Sequence, residues 1–234
     1  MPVLPLIATA ISGLFAWSLH AKYRSSQRLQ LLAWAISLAM FAIASATLFL
    51  ADVYDWGPWL YRTFWLFGAL LNVPWLAVGS ASLAWPRLAK ILFGIVVIAS
   101  GYAIVVTIGA DPNRLALAAD EIPRGKDVWA ADPSMLSLLR VYSIGGWLAV
   151  VGIALWTSRV RDGMRPSSTR VRANLLIAVG VSIVAIGGFA LGRLGGTELF
   201  SVSLALGVGV MYVGFLLASR APRFTVTDPG EQAT

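Results

Sequence analysis

The chain has 234 residues, a mean hydropathy of +0.77, 58% hydrophobic residues and 12% charged residues. A soluble domain carries about a quarter of its residues as charged side chains, so this composition excludes an ordinary soluble protein and predicts a membrane protein. The chain has no cysteine and one histidine, His20. Disulfides, thiolate metal sites and paired-histidine metal or haem sites are therefore excluded, and we predict no metal and no cofactor.

Seven apolar segments are long enough to cross a bilayer, whose hydrocarbon core needs about 20 residues of helix. Together they predict an all-α, seven-helix transmembrane domain over residues 1–223. The predicted spans lie at about residues 3–20, 29–51, 59–84, 88–109, 134–157, 173–194 and 197–219. The first segment, MPVLPLIATAISG, lacks the basic region of a cleaved signal peptide, so we expect span 1 to be retained.

The lysines and arginines predict an orientation. Twelve of the 18 basic residues follow spans 1, 3, 5 and 7, and eight of the 11 acids lie on the other side. Cytoplasmic loops are enriched in Lys and Arg, so we predict an N-terminus outside and a C-terminus in the cytoplasm. Because topology explains the basic loops and the net charge of +7, we expect no nucleic-acid partner.

Two segments are predicted to lie outside the spans. Residues 110–133 form a polar extracytoplasmic loop in which NRLALAADEI could make a short surface helix. Residues 224–234 read as a disordered cytoplasmic tail. At the start of span 3, the stretch DVYDWGPWLYRTFW predicts an aromatic belt at the membrane interface. The belt residues are Trp56, Trp59, Tyr61 and Trp65.

Span 3 contains a polar residue and a proline near its middle, in GALLNVPWLAVG. Pro74 has no N–H, so the carbonyl of Leu70 loses its helical partner and we predict a kink there. An unpaired amide is costly in hydrocarbon, so the Asn72 side of span 3 should face other helices or a wet cavity. Asn72 then either binds a ligand at the kink or joins helices by hydrogen bonds.

Three arginines are predicted to lie near the outer ends of spans: Arg62, Arg140 and Arg193. Their side chains either reach lipid phosphates and nearby acids, or line an outward vestibule that binds an anionic headgroup or carboxylate. Trp75 and Tyr142 bring polar atoms into apolar surroundings, so they either line the same pocket or pack in the core.

The sequence lacks the residues of several known membrane activities. A retinal protein needs a lysine in its last span, and proton-coupled transport usually needs an acid near the middle of a span; neither is present. No phosphate-binding loop, nucleophile elbow or paired catalytic carboxylate occurs. We therefore predict that the protein is not an enzyme.

Two stretches carry a resemblance to known proteins. YRTFWLFGALLNVPWLAVGSASL and LGRLGGTELFSVSLALGVGVMYVGFLL resemble a group of uncharacterised seven-span proteins of high-GC Gram-positive (actinobacterial) bacteria, over spans 2–7. That resemblance implies a bacterial plasma membrane but no activity. The Arg-x-Phe-Trp opening of span 3 is also similar to the seven-span sensor region of bacterial histidine kinases. The sequence ends about 14 residues after span 7, so signalling would require a partner protein.

Two functional hypotheses follow. The first is a non-enzymatic protein that binds, transports or senses a small or lipid-like, anionic molecule from the outer leaflet, between spans 3, 5, 6 and 7. Its ligand-binding residues would be Arg62, Asn72, Trp75, Arg140, Tyr142 and Arg193, with Pro74 as the kink. The second is an accessory or scaffold subunit of a larger membrane complex. Membrane lipids, other membrane subunits or a second copy of the chain are the partners that these hypotheses imply.

Overall fold

A computed structural model describes residues 3–118, 122–159, 168–194 and 197–220. Within these ranges the regular structure is entirely helical, without β-strands, and seven helices are long and apolar enough to cross a membrane. The prediction of an all-α chain with seven membrane-length helices is confirmed. The predicted tail at 224–234 lies outside the described residues.

Five of the seven spans are single α-helices, and spans 3 and 5 are composite. The single helices are Val3–Ser26 (span 1), Leu29–Tyr54 (span 2), Pro86–Gly109 (span 4), Ser168–Leu194 (span 6) and Thr197–Arg220 (span 7). Span 3 consists of α-helices Pro58–Phe64 and Asn72–Ala84 joined by a π-helical segment, Trp65–Leu71. Span 5 consists of α-helices Pro133–Leu139 and Gly145–Arg159 joined by a π-helical segment, Arg140–Ile144.

Three spans begin at a proline. Pro58, Pro86 and Pro133 occupy the first turn of spans 3, 4 and 5. Proline suits this position because its fixed φ is helical and its missing N–H would have no intrahelical partner there. At span 5 the Asp132 carboxylate also accepts a hydrogen bond from the Ser134 N–H at 3.0 Å. These starts lie one or two residues before the predicted ones.

Six spans pack side by side in a ring. Span 1 contacts spans 2 and 7, span 2 contacts span 3, span 3 contacts span 5, and span 6 contacts spans 5 and 7. Span 4 lies outside this ring and packs on span 3 and on the first part of span 5. Span 3 is therefore the central helix, with 72% of its apolar window buried, whereas only 17% of the span 4 window is buried.

Glycines allow close contacts within the ring. A Cβ on Gly79 would lie 2.1 Å from Nε1 of Trp34, so the Trp34 indole fills the place of a side chain on span 3. Between spans 6 and 7, a Cβ on Gly207 would lie 2.7 Å from the Gly180 carbonyl oxygen. Small residues of this kind let helix backbones approach closely in membranes, where packing replaces hydrophobic exclusion.

Residues 110–118 and 122–132 fold back onto the bundle, and we call this end of the bundle the loop end. The segment contains short helices Arg114–Leu117 and Gly125–Val128, and the Asn113 N–H donates to the Val128 carbonyl at 2.9 Å. The sequence predicted a short helix only in the first of these places. The second begins at Gly125, which lies against the Trp65 ring, where a Cβ would be 2.1 Å from the nearest ring carbon.

The predicted interfacial belt is only partly at the surface. Trp59 is 65% exposed, but Tyr61 and Trp65 are buried beneath the segment 110–132. The Tyr61 hydroxyl donates to the Pro123 carbonyl at 3.1 Å, and the ring centroids of Trp65 and Trp129 lie 6.1 Å apart. Aromatic residues at this depth can pack against protein as well as against lipid headgroups, and here the folded segment covers them.

Candidate functional site

The midspan asparagine forms a polar contact between spans 3 and 2. Asn72 is buried, and Ser37 of span 2 donates a hydrogen bond to its side-chain oxygen. The Ser37 Oγ also lies 3.1 Å from the Asn72 main-chain carbonyl oxygen. The amide is thus held between two helices, as its position in the middle of a span requires. This arrangement agrees with the interpretation of Asn72 as a residue that joins helices.

The two π-helical segments contact each other. The Ser143 hydroxyl, in the π-segment of span 5, donates a hydrogen bond to the Ala69 carbonyl, in the π-segment of span 3. Just beyond it, Gly146 packs against the peptide between Val73 and Pro74, where a Cβ would lie 3.0 Å from the Pro74 nitrogen. A π-turn disrupts the regular helical hydrogen bonds, and a side chain from a neighbouring helix here supplies a donor.

The π-helical segment ends at Leu71, three residues before Pro74, and it includes Leu70, whose carbonyl was predicted to lose its helical partner. The sequence reasoning expected the freed carbonyl at Leu70, whereas the interhelical donor reaches Ala69. The π-segment explains the difference because its wider turn changes which N–H each carbonyl faces. Pro74 thus remains the cause we assign to the irregular geometry, and Gly146 is the residue that lets span 5 approach it.

Two of the predicted ligand-binding residues form hydrogen bonds with span 4. The Trp75 Nε1–H donates to the Ser100 hydroxyl at 3.2 Å, and Ser100 donates to the Val96 carbonyl at 2.7 Å. From span 5, the Tyr142 hydroxyl donates to the Ala99 carbonyl at 2.8 Å. These hydrogen bonds reach two consecutive residues of span 4, so Trp75 and Tyr142 attach the outlying helix to spans 3 and 5.

Arg62 holds the loop end of span 4. Its Nε and Nη2 donate to the carbonyl of Ala110, the residue that follows the helix, at 3.1 and 2.6 Å. Its guanidinium carbon lies 4.8 Å from the Trp59 ring centroid. The nearest carboxylate oxygen, on Asp111, is 3.9 Å away, and the Asp111 side chain is 96% exposed. A cation at a helix C-terminus is favoured by the carbonyl dipoles, so the main role visible for Arg62 is a cap.

The other two predicted arginines differ from Arg62. Arg140 is exposed and is the first residue of the π-segment of span 5, two residues before Tyr142. Arg193 is part of the span 6 helix, but its side chain lies outside the described residues. Of the three arginines predicted to line a vestibule, the structure therefore shows Arg62 as a helix cap and Arg140 as an exposed side chain.

Three further buried polar atoms, on spans 2, 3 and 6, were not predicted from the sequence. Trp34 Nε1, Ser80 Oγ and Asn174 Oδ1 are buried and have no hydrogen-bond partner within the described part of the chain. For Asn174, the signal that could have revealed it is its position in RANLLIAV, where it breaks the apolar start of span 6. Among the described residues, no three acids or histidines gather as a metal site would need.

No protein-family model, no curated protein and no solved structure matches the chain.

Proposed function

We propose that the protein is a non-enzymatic, multi-pass membrane protein that serves as an accessory or scaffold subunit of a larger membrane complex. The observation that carries this proposal is the position of span 4. It lies outside the ring of six helices, and among the described residues its main helix contacts are with spans 3 and 5. A helix with one attached face and one open face is suited to dock against a further transmembrane helix.

The open face of span 4 has the composition of a helix–helix contact. Large apolar side chains recur on it at alternating spacings of three and four residues, which is the repeat of a left-handed helix pair. The exposed residues in this series are Leu88, Ile91, Ile95, Ile98, Tyr102 and Val105. Gly94 and Gly101 directly precede Ile95 and Tyr102 of this series, and a Cβ on either glycine would meet open space. Small residues on an open membrane face permit close approach of a partner helix.

The hydrogen bonds that the predicted ligand-binding residues form with other helices also support a scaffold role. Arg62, Trp75 and Tyr142 each donate a hydrogen bond to span 4 or to the residue that follows it. Asn72 accepts a hydrogen bond from Ser37. A ligand at these side chains would have to replace bonds that hold the helices together. Their arrangement favours a rigid support for span 4 over an open binding pocket.

Cysteine cross-linking in native membranes tests the docking helix. Because the chain has no cysteine, single-cysteine variants give an unambiguous signal. Ile98→Cys on span 4 is compared with Ile186→Cys on span 6, since both isoleucines are exposed, at 77% and 66%. We expect a discrete cross-linked product only for Ile98→Cys, and a differently tagged second copy of the chain distinguishes self-association from a different subunit. Equal products, or none, would contradict the proposal.

A second candidate function is the binding, transport or sensing of a small or lipid-like, anionic molecule from the outer leaflet. The exposed Arg140, at the start of a π-segment, favours it because π-turns are frequent at functional sites. Native mass spectrometry of protein extracted in mild detergent would detect a retained ligand. Asn72→Leu should abolish stabilisation by that ligand, and stabilisation that persists would exclude the midspan pocket. On the sequence resemblance, we expect a bacterial plasma membrane as the location in either case.

A further inference from the structure

An open groove lies on span 1, at the end of the bundle opposite the loop end. Its volume is about 460 Å³, and its lining residues are Trp17, His20, Ala21, Arg24 and Ser25. Their spacing puts all five on one side of the helix, because residues three, four, seven and eight apart share a face. All five side chains are exposed, and they combine an aromatic ring, an imidazole, a guanidinium and a hydroxyl.

The groove has one positive charge that the described protein does not neutralise. Arg24 forms no ion pair with a carboxylate within the described residues, whereas the neighbouring Lys22 points away and donates to the Ser219 hydroxyl of span 7 at 2.9 Å. His20 adds an N–H donor in either protonation state of the imidazole. A guanidinium and an imidazole one helical turn apart match an acceptor with several oxygens, such as a phosphodiester.

An apolar track leads from the middle of the span to this groove. Residues 3, 7, 10, 14, 17, 21 and 24 follow one another at spacings of three and four, and each is exposed. Leu14 and Trp17 are 68% and 73% exposed. From Leu14 to Arg24 is ten residues, or about 15 Å of helix, which is roughly the hydrocarbon thickness of one leaflet. Trp17 lies about 4.5 Å from Leu14 and about 10.5 Å from Arg24 along the helix axis, so its ring belongs to the apolar part of the track.

We propose that this groove binds an anionic phospholipid, with Arg24 and His20 at the phosphate and an acyl chain along Trp17 and Leu14. The site is separate from span 4 and from the residues of the proposed function. A free phosphate would use only the polar half of the groove, whereas a lipid also uses the apolar track. The structure thus favours the lipid as the source of the phosphodiester.

Native mass spectrometry of the purified full chain tests this assignment. The protein is titrated with phosphatidylglycerol or with phosphatidylcholine of the same acyl chains, which differ in headgroup charge. We expect preferential retention of phosphatidylglycerol, and we expect Arg24→Gln to reduce it about fivefold, the effect of one arginine near a lipid surface. Arg87→Gln is the matched control, because Arg87 is exposed at the same end of the bundle on span 4 and should leave retention unchanged.

A second pair of variants keeps the proposal testable if Arg24→Gln folds poorly. Ala21→Glu places a carboxylate in the groove and should reduce phosphatidylglycerol retention, whereas Ala21→Gln, of nearly equal size, should not. Equal losses for Arg24→Gln and Arg87→Gln would show a general surface-charge effect and overturn the site. Equal retention of the two lipids, or full competition by inorganic phosphate, would overturn the assignment to a phospholipid.

Discussion

The Ser143 hydroxyl donates a hydrogen bond to the Ala69 carbonyl, and this bond joins the two irregular segments of the bundle across spans 5 and 3. We expect Ser143→Ala to destabilise the protein by about 1 kcal/mol, because the carbonyl then lacks a donor in apolar surroundings. Unfolding by a denaturing detergent in mixed micelles measures the change. Ser137→Ala is the control in the same span, since the Ser137 hydroxyl is exposed and donates only within its own helix. Equal losses in the two variants would contradict a specific role for the Ser143 bond.

The contact between Trp34 and Gly79 predicts a large steric effect. A Cβ at position 79 would overlap the indole of Trp34, so we expect Gly79→Ala to cost about 2 kcal/mol of stability. Gly101→Ala should not destabilise the chain, because a Cβ there meets open space and alanine favours a helix. Thermal unfolding in detergent compares the two variants. Adding Trp34→Phe to Gly79→Ala should recover part of the loss, and a strictly additive double variant would show that the two positions do not interact.

The bonds from Trp75 and Tyr142 predict how span 4 can be released. We expect Tyr142→Phe to cost about 0.5–1 kcal/mol, because it removes one hydrogen bond and leaves the ring in place. Trp75→Phe should cost more, because it removes a hydrogen bond and also replaces a buried indole by a smaller ring. Hydrogen exchange should become faster in span 4 and stay unchanged in span 7. Tyr102→Phe is the control, since Tyr102 lies on the open face of span 4. Uniformly faster exchange along the chain would indicate global destabilisation and contradict the role as attachments.

The covered aromatic cluster predicts that the segment 110–132 depends on Trp129. This indole is fully buried against Tyr61 and Trp65, so Trp129→Ala should loosen the segment and speed tryptic cleavage at Arg114, Arg124 and Lys126. Removal of a buried tryptophan costs about 3–5 kcal/mol when the neighbours cannot fill the space. Trp59→Ala removes an exposed tryptophan at the same end and should change the cleavage rate little. Equal rates for both variants would show that the cluster does not hold the segment.

The distribution of basic residues predicts which end faces the exterior. Ala131→Cys places a single exposed thiol at the loop end, and Ser25→Cys places one at the opposite end. A membrane-impermeant thiol reagent added to intact cells should label Ala131→Cys alone. Both variants should react after permeabilisation. Labelling of Ser25→Cys in intact cells would reverse the predicted orientation.

Some features of the bundle follow from the sequence for physical reasons. The number of spans follows because crossing a bilayer demands a minimum length of apolar helix. The burial of Asn72 follows because an amide cannot lie unpaired in hydrocarbon. The starts at Pro58, Pro86 and Pro133 follow because proline suits the first turn of a helix.

Other features could not be derived in this way. The hydrogen-bond partner of Arg62 is the carbonyl of Ala110, 48 residues away in the sequence. No local sequence pattern predicts a pairing over that separation. Tyr61 and Trp65 have the composition of an interfacial belt, and only the folded segment 110–132 decides that they are buried. The ligand-binding roles assigned to all six residues stay predictions, since contacts such as that of Asn72 with Ser37 serve helix packing equally well. The six are Arg62, Asn72, Trp75, Arg140, Tyr142 and Arg193.

The π-segment of span 3 divides that helix into two parts whose angular phases differ. Each residue of an α-helix advances the chain by about 100° around the axis, and a π-turn takes up residues without the corresponding advance. A single helical wheel drawn through residues 58–84 would therefore assign wrong faces to one half. Deletion of one residue between positions 65 and 71 would leave the hydropathy of the span nearly unchanged. It would nevertheless rotate Asn72 or Tyr61 away from its partner, so the exact residue count of this span carries structural information that its apolar character does not.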